Sequence, residues 1–118
     1  MKPPRTTARG WHRREPGKMN KLEAEYAAQL AQMQRDGLIQ HYEYEGVKLR
    51  LADKTYYTPD FFVVRADGLI EFHEVKGFWA EHNRVKIKVA AEQKHWARFF
   101  AITKEAKKRG GGWKYEEF

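Results

Sequence analysis

Met19, Leu22, Tyr26, Leu30 and Met33 recur at spacings of three and four, which predicts a helix over 19–36. Asn20 stands where an N-cap belongs, with Glu23 at the third helical position as in a capping box, and Gly37 is a natural stop. Beyond it the period shortens. LIQHYEYEGVKLRL (38–51) reads as two short strands turning near Gly46. Residues 55–65 and 69–77 read as two longer strands around Ala66-Asp67-Gly68. In 81–95, Val85, Ile87 and Val89 alternate with lysines as in a strand, but Ala-Ala-Glu-Gln-Lys follows. The length favours a helix, which places Arg84 and Lys88 on one face. WARFFAIT (96–103) reads as a last strand. The predicted order is α-β-β-β-β-α-β: an α/β domain of the mixed α+β kind, a central mixed sheet flanked by helices, over 19–104.

Composition adds a partner and removes several chemistries. The chain has 118 residues, enough for one modest core, and a formal net charge of +7. That excess favours a polyanion, nucleic acid before an anionic membrane surface, through counterion release from phosphates. Residues 1–18 hold Lys2, Arg5, Arg9, Arg13, Arg14 and Lys18 against Glu15, broken by three prolines and two glycines. They read as a flexible basic arm that either orders on a phosphate backbone or stays a solvated tail. They lack the apolar core of a secretory signal, and no run is long and apolar enough for a membrane span, so a cytoplasmic protein is expected. Residues 105–118 read as a basic, flexible tail with an aromatic end. Cysteine and serine are absent, which removes disulfides, thiolate metal sites and both nucleophiles. His12, His41, His82 and His95 show no zinc-ligand spacing.

The two long strands carry charges that strands usually avoid, in YTPDFFVV (57–64) and EFHEVKG (71–77). A two-residue Asp67-Gly68 turn would set Asp60 against Val75. A three-residue loop closing on Arg65 and Leu69, with Gly68 in the left-handed position, sets Asp60 against Glu74. The second register collects Phe62, Val64, Ile70 and Phe72 at one end of a face, and Asp60, Glu74 and Lys76 at the other. Facing carboxylates would have β-carbons about 5 Å apart and need a shared proton or a cation between them. A hard divalent ion takes such oxygen ligands. Lys76 lies about 7 Å along the strand from Glu74, within reach of a phosphate or an attacking water. Glu23, on the flank of the helix stripe, is a third carboxylate able to lean over the sheet edge, with helix capping as its other role. His73 falls on the opposite face, as a packing or surface residue rather than a ligand. Tyr56 and Tyr57 read as packing residues. Arg84, Lys86 and Lys88 follow the strand end closely and read as phosphate contacts rather than a merely solvated face.

Pro59-Asp60 followed by Glu74-Val75-Lys76, with Glu23 on an upstream helix and a basic helix downstream, resembles the PD-(D/E)XK nuclease signature and its restriction-endonuclease-like core. From Asn20 to Lys104, especially in GVKLRLADKTYYTPDF and HEVKGFW, the chain is similar to small phage-type proteins related to phage endonuclease I, a Holliday-junction resolvase. The resemblance implies one or two magnesium or manganese ions on Glu23, Asp60, Glu74 and the Val75 carbonyl, with Lys76 activating water and stabilising the phosphorane. It further implies a metal-dependent endonuclease acting on branched DNA as a homodimer in the host cytoplasm, without a small-molecule cofactor, and DNA contacts through Arg84, Lys86, Lys88, Arg13 and Arg14. Nicking, restriction-like or exonucleolytic cleavage, and a non-catalytic nucleic-acid-binding protein of the same fold, are the alternatives.

Overall fold

The computed structural model describes residues 17–77, Trp79 and residues 81–118, with the side chains of Glu81 and Asn83 excepted. Arg13 and Arg14 lie outside the described residues, as does Phe78.

Helix α1 spans Lys21–Arg35. The capping box forms as the spacing predicts: the Asn20 side chain accepts from the Glu23 amide, and Glu23 Oε1 accepts from the Asn20 amide. At the far end Gly37 takes a φ of 77° and lets the chain reverse into β1, Ile39–Tyr44.

The run 55–65 is two strands, not one. β2 (Leu49–Ala52) pairs with β3 (Thr55–Tyr57) in a separate two-stranded ribbon, and β4 (Phe61–Arg65) belongs to the main sheet. Pro59 is the physical reason: it has no N–H for a ladder, so the extended run breaks there and changes sheet. The turn at Glu45-Gly46 likewise separates β1 from β2 without making a hairpin, since β1 pairs with β4. β5 (Ile70–Val75) pairs antiparallel with β4 in the register of the three-residue loop: Phe62 faces Phe72, Val64 faces Ile70, and the Arg65 amide donates to the Leu69 carbonyl. Gly68 carries a φ of 86°, as that loop requires.

After a 3-10 turn (Glu81–Arg84), helix α2 (Val85–Gln93) returns the chain to β6 (Ala97–Lys104), which runs parallel to β5. The C-terminal segment expected to be flexible contains a further strand. β7 (Trp113–Glu117) pairs antiparallel with β6, and Tyr115 O–H sits 2.9 Å from the hydroxyl of Tyr26. The five-stranded sheet runs β1-β4-β5-β6-β7, so the strand carrying Glu74 is central.

Each face of the sheet is covered. Tyr26, Leu30, Phe61, Val63, Val75 and Ile102 form the core beneath α1. Leu49, Leu51, Tyr57, Phe72, Ile87 and Phe99 form the core between the sheet, the ribbon and α2. No helix among the described residues is long and apolar enough to cross a membrane.

Candidate active site

β5 ends at Val75, and its carboxyl end is where an α/β sheet leaves a crevice for ligands. β4 runs antiparallel to it and therefore begins at the same end. Asp60 immediately precedes β4, opposite Glu74 in the continued register. Each carboxylate binds the other strand's backbone. Asp60 Oδ2 accepts from the Val75 amide at 2.8 Å, and Glu74 Oε1 accepts from the Asp60 amide at 3.1 Å. These two bonds prolong the pairing past the last ladder residues, and they fix both carboxylates at the sheet edge. Both side chains are buried.

Lys76, the next residue but one after Glu74, is half-exposed and places Nζ 3.5 Å from Glu74 Oε2. Its own amide donates to the Ile102 carbonyl at 3.0 Å, which anchors the stem of the side chain on β6. Glu23 is buried at the start of α1. Its capping role is real, and its charge also raises the proton affinity of Asp60. The four residues singled out in the sequence thus share one neighbourhood, drawn from α1, the start of β4 and the end of β5.

Two tyrosines complete the arrangement. Tyr57 on β3 is buried, and its O–H donates to Glu74 Oε1 at 3.0 Å. Tyr44, the last residue of β1, donates to Glu23 Oε1 at 2.9 Å. Tyr57 is therefore more than packing. The only sequence signal for it is its phase in the strand: an inward tyrosine two positions ahead of Pro59. Tyr56, its neighbour, points the other way and is 43% exposed, which corrects its reading as a packing residue.

Electrostatically the site is an acid pair under strain. Burial, then the nearby Glu74 charge, pushes the Asp60 carboxyl up to about 8, against the Val75 amide bond that favours the anion. Burial also raises Glu74, opposed by Lys76, the Tyr57 hydroxyl and the Asp60 amide. Without a further cation the pair holds a proton at neutral pH. Among the described residues no group of three or more His, Cys, Asp or Glu side chains is gathered closely enough to cage a metal ion. Magnesium does not require such a cage: it is commonly held through one or two carboxylates plus substrate phosphates and waters. Asp60 and Glu74, with Glu23 within electrostatic range, present only oxygen atoms at this sheet edge.

The basic residues past the strand end are placed differently from one another. Arg84 is ion-paired with Glu116 and lies over the rings of Trp79 and Phe118. Lys86 Nζ donates to the Tyr56 carbonyl at 2.9 Å. Both are engaged within the fold. Lys88 is exposed on α2. His73 is buried on the α1 face, with Nδ1 2.7 Å from the Tyr26 hydroxyl and Nε2 2.9 Å from Glu71 Oε1, so it packs away from the carboxylate pair.

No protein-family model matches the chain, and neither a curated protein nor a solved structure matches it significantly.

Proposed function

We propose that this chain is a metal-dependent endodeoxyribonuclease of the PD-(D/E)XK type. Its proposed substrate is branched DNA, such as a Holliday junction, and its working form a homodimer with one site for each strand cut. The observation that carries the reading is the buried Asp60–Glu74 pair at the end of the central strand with Lys76 on its exposed side. Two neighbouring buried acids are costly to ionise, because burial raises both and the Glu74 charge raises Asp60 further. They make sense as a hard-cation site with a lysine reserved for the substrate.

In this mechanism Asp60, Glu74 and the Val75 carbonyl would hold one or two Mg2+ or Mn2+ ions, with Glu23 contributing from α1. Such an ion, when bound, lowers the pKa of water and neutralises phosphate charge. The chain's own groups do the rest. Tyr57 and the Asp60 amide occupy Glu74 Oε1, which leaves Oε2 turned to Lys76. Lys76 Nζ, on a tethered stem, donates to a non-bridging phosphate oxygen as negative charge builds there during attack by water. One P–O bond forms, the bridging P–O bond breaks, and the leaving oxygen takes up a proton. The preference for branched DNA and the dimer rest on the likeness of GVKLRLADKTYYTPDF and HEVKGFW to the resolvase-related proteins.

The test is cleavage of a four-way junction beside a matched linear duplex, with magnesium, by wild type and Lys76→Ala. Junction cutting that disappears in the variant is the expected outcome. Equal cutting of both substrates would remove the branched-DNA claim and keep the nuclease. Binding of both without cutting, in manganese as well, would leave a nucleic-acid-binding protein.

A further inference from the structure

The β2–β3 ribbon has two unlike faces. Leu49, Leu51 and Tyr57 point inward to the core, and Tyr57 reaches Glu74. The exposed residues include Lys48, Arg50, Lys54 and Tyr56, with Asp53 as the only acid from Val47 to Thr58. Arg50 and Tyr56 are cross-strand partners, and Lys48 Nζ lies 4.5 Å from the centre of the Tyr56 ring. We infer that this outward face is a duplex-DNA docking surface that grips the phosphate backbone beside the site. The inference rests on the nuclease reading for its location, and it deepens that reading by naming the element that holds the substrate.

A solvated outer face would also be polar, so the argument turns on what is unusual here. First, α2 holds the ribbon by its backbone. Lys86 Nζ donates to the Tyr56 carbonyl, Gln93 Nε2 to that of Leu51, and Lys94 Nζ to that of Arg50, at 2.8–3.0 Å. Two long side chains of α2 and the lysine that caps its end are thus committed to the backbone of a surface ribbon, which lowers the ordering cost when a partner binds. Second, the turn residue Lys54 has a φ of 56°, where glycine would be relaxed and lysine is strained. The tip keeps a cation against backbone preference.

Third, the ribbon lies within the footprint of any duplex that reaches the carboxylates. Tyr56 is four residues from Asp60, so their Cα atoms are at most ~14 Å apart, and Arg50 sits ~5 Å across the ribbon. A span of about 20 Å covers some six phosphates on each strand at ~3.4 Å per step. On this proposal the cations at 48, 50 and 54 meet backbone phosphates once DNA is seated. A two-stranded ribbon also has dimensions that fit a major groove.

The experiment measures binding of a short DNA duplex in EDTA across a salt series, so that cleavage plays no part. The full-length wild type is compared with Lys48→Ala/Arg50→Ala/Lys54→Ala, with Lys54→Gly, and with Lys107→Ala/Lys108→Ala/Arg109→Ala as a basic control outside the ribbon. Removing one phosphate-neutralising cation should lower the slope of log K against log salt by about 0.9. The ribbon triple should lose about 2–3 from the slope and the control under 1. Lys54→Gly separates the proposal from a structural role: it should melt no lower than wild type yet lose about 0.9 of slope. A slope unchanged by the ribbon triple, or a drop as large in the control, overturns the docking surface and leaves the nuclease reading standing. So does loss of binding to anionic vesicles, rather than to DNA, in the ribbon triple. A wild type that does not bind duplex also overturns it. Duplex binding through the ribbon with no metal-dependent cleavage would instead sink the nuclease and keep the surface.

Discussion

At the scale of the residue, the site is governed by how many oxygens are already engaged. Asp60 uses Oδ2 on the Val75 amide, and Glu74 uses Oε1 on two donors. Tyr57→Phe removes one donor without changing shape. Groups that orient a ligating side chain from behind commonly contribute 10–100-fold to metal affinity or activity. We expect about a tenfold loss in magnesium affinity by titration, with the melting temperature nearly unchanged; equal affinity would make Tyr57 a packing residue after all.

Asp60 gives a pH signature. Its carboxyl is raised to about 8, chiefly by burial and then by Glu74. Between about pH 4 and 8 the folded chain therefore keeps a proton that the unfolded chain has released. The unfolded state binds fewer protons in that window, so stability falls as pH rises through it and levels above about 8. Asp60→Asn should flatten this dependence and raise the melting temperature at pH 8.5, without divalent ions, by at least ~5 °C. Excess magnesium should stabilise wild type at that pH, by up to about 2.7 kcal/mol at a hundredfold excess over Kd, and should not stabilise the variant. A variant that melts lower than wild type at pH 8.5 would argue against the strained pair.

At the scale of the element, single residues decide where strands begin, end and pair. Pro59 divides one extended stretch into a ribbon strand and a sheet strand, and so brings Tyr57 over Glu74 while Asp60 enters β4. Gly68 selects the register. Shifted by one residue, Glu74 would lie on the other face and the acid pair would not exist. Gly68→Ala, at a φ of 86°, should cost about 1–2 kcal/mol, read by urea denaturation. On the opposite face the C-terminal strand is tied in by a polar chain: Tyr115 to Tyr26, Tyr26 to His73, His73 to Glu71, and Glu71 to Arg65. Tyr26→Phe leaves a buried imidazole nitrogen without its partner, and should lower stability by about 1–3 kcal/mol while cleavage at permissive temperature persists.

At the scale of the whole molecule, the two cores do different work. The core under α1 brings Glu23 to the sheet end, and the core under α2 supports the ribbon. Most of the net charge of +7 belongs to residues 1–18, where six cations face one acid, and several cations of the folded part, Lys86, Lys94 and Arg84 among them, are already engaged within the fold. Duplex binding should therefore weaken steeply with salt, yet with a slope well below the total count of lysines and arginines.

Local rules make much of this legible before any coordinates. Capping geometry and period 3.6 determine the first helix, because both act within a single turn. Turn chemistry at Ala66-Asp67-Gly68 determines the register, and with it the opposition of Asp60 and Glu74. The break at Pro59 is equally local, but the β-propensity of the residues around it hides the missing N–H. What only the tertiary structure decided is long-range. β1 passes over its neighbour in sequence to pair with β4, and β7 adds to β6 although GGGWKYEEF has little apolar pattern of its own. Tyr57 meets Glu74, Tyr44 meets Glu23, and Lys86 turns to a backbone carbonyl. Such contacts depend on which layers close over one another, a free-energy balance summed over both cores, and no spacing along the chain encodes that sum.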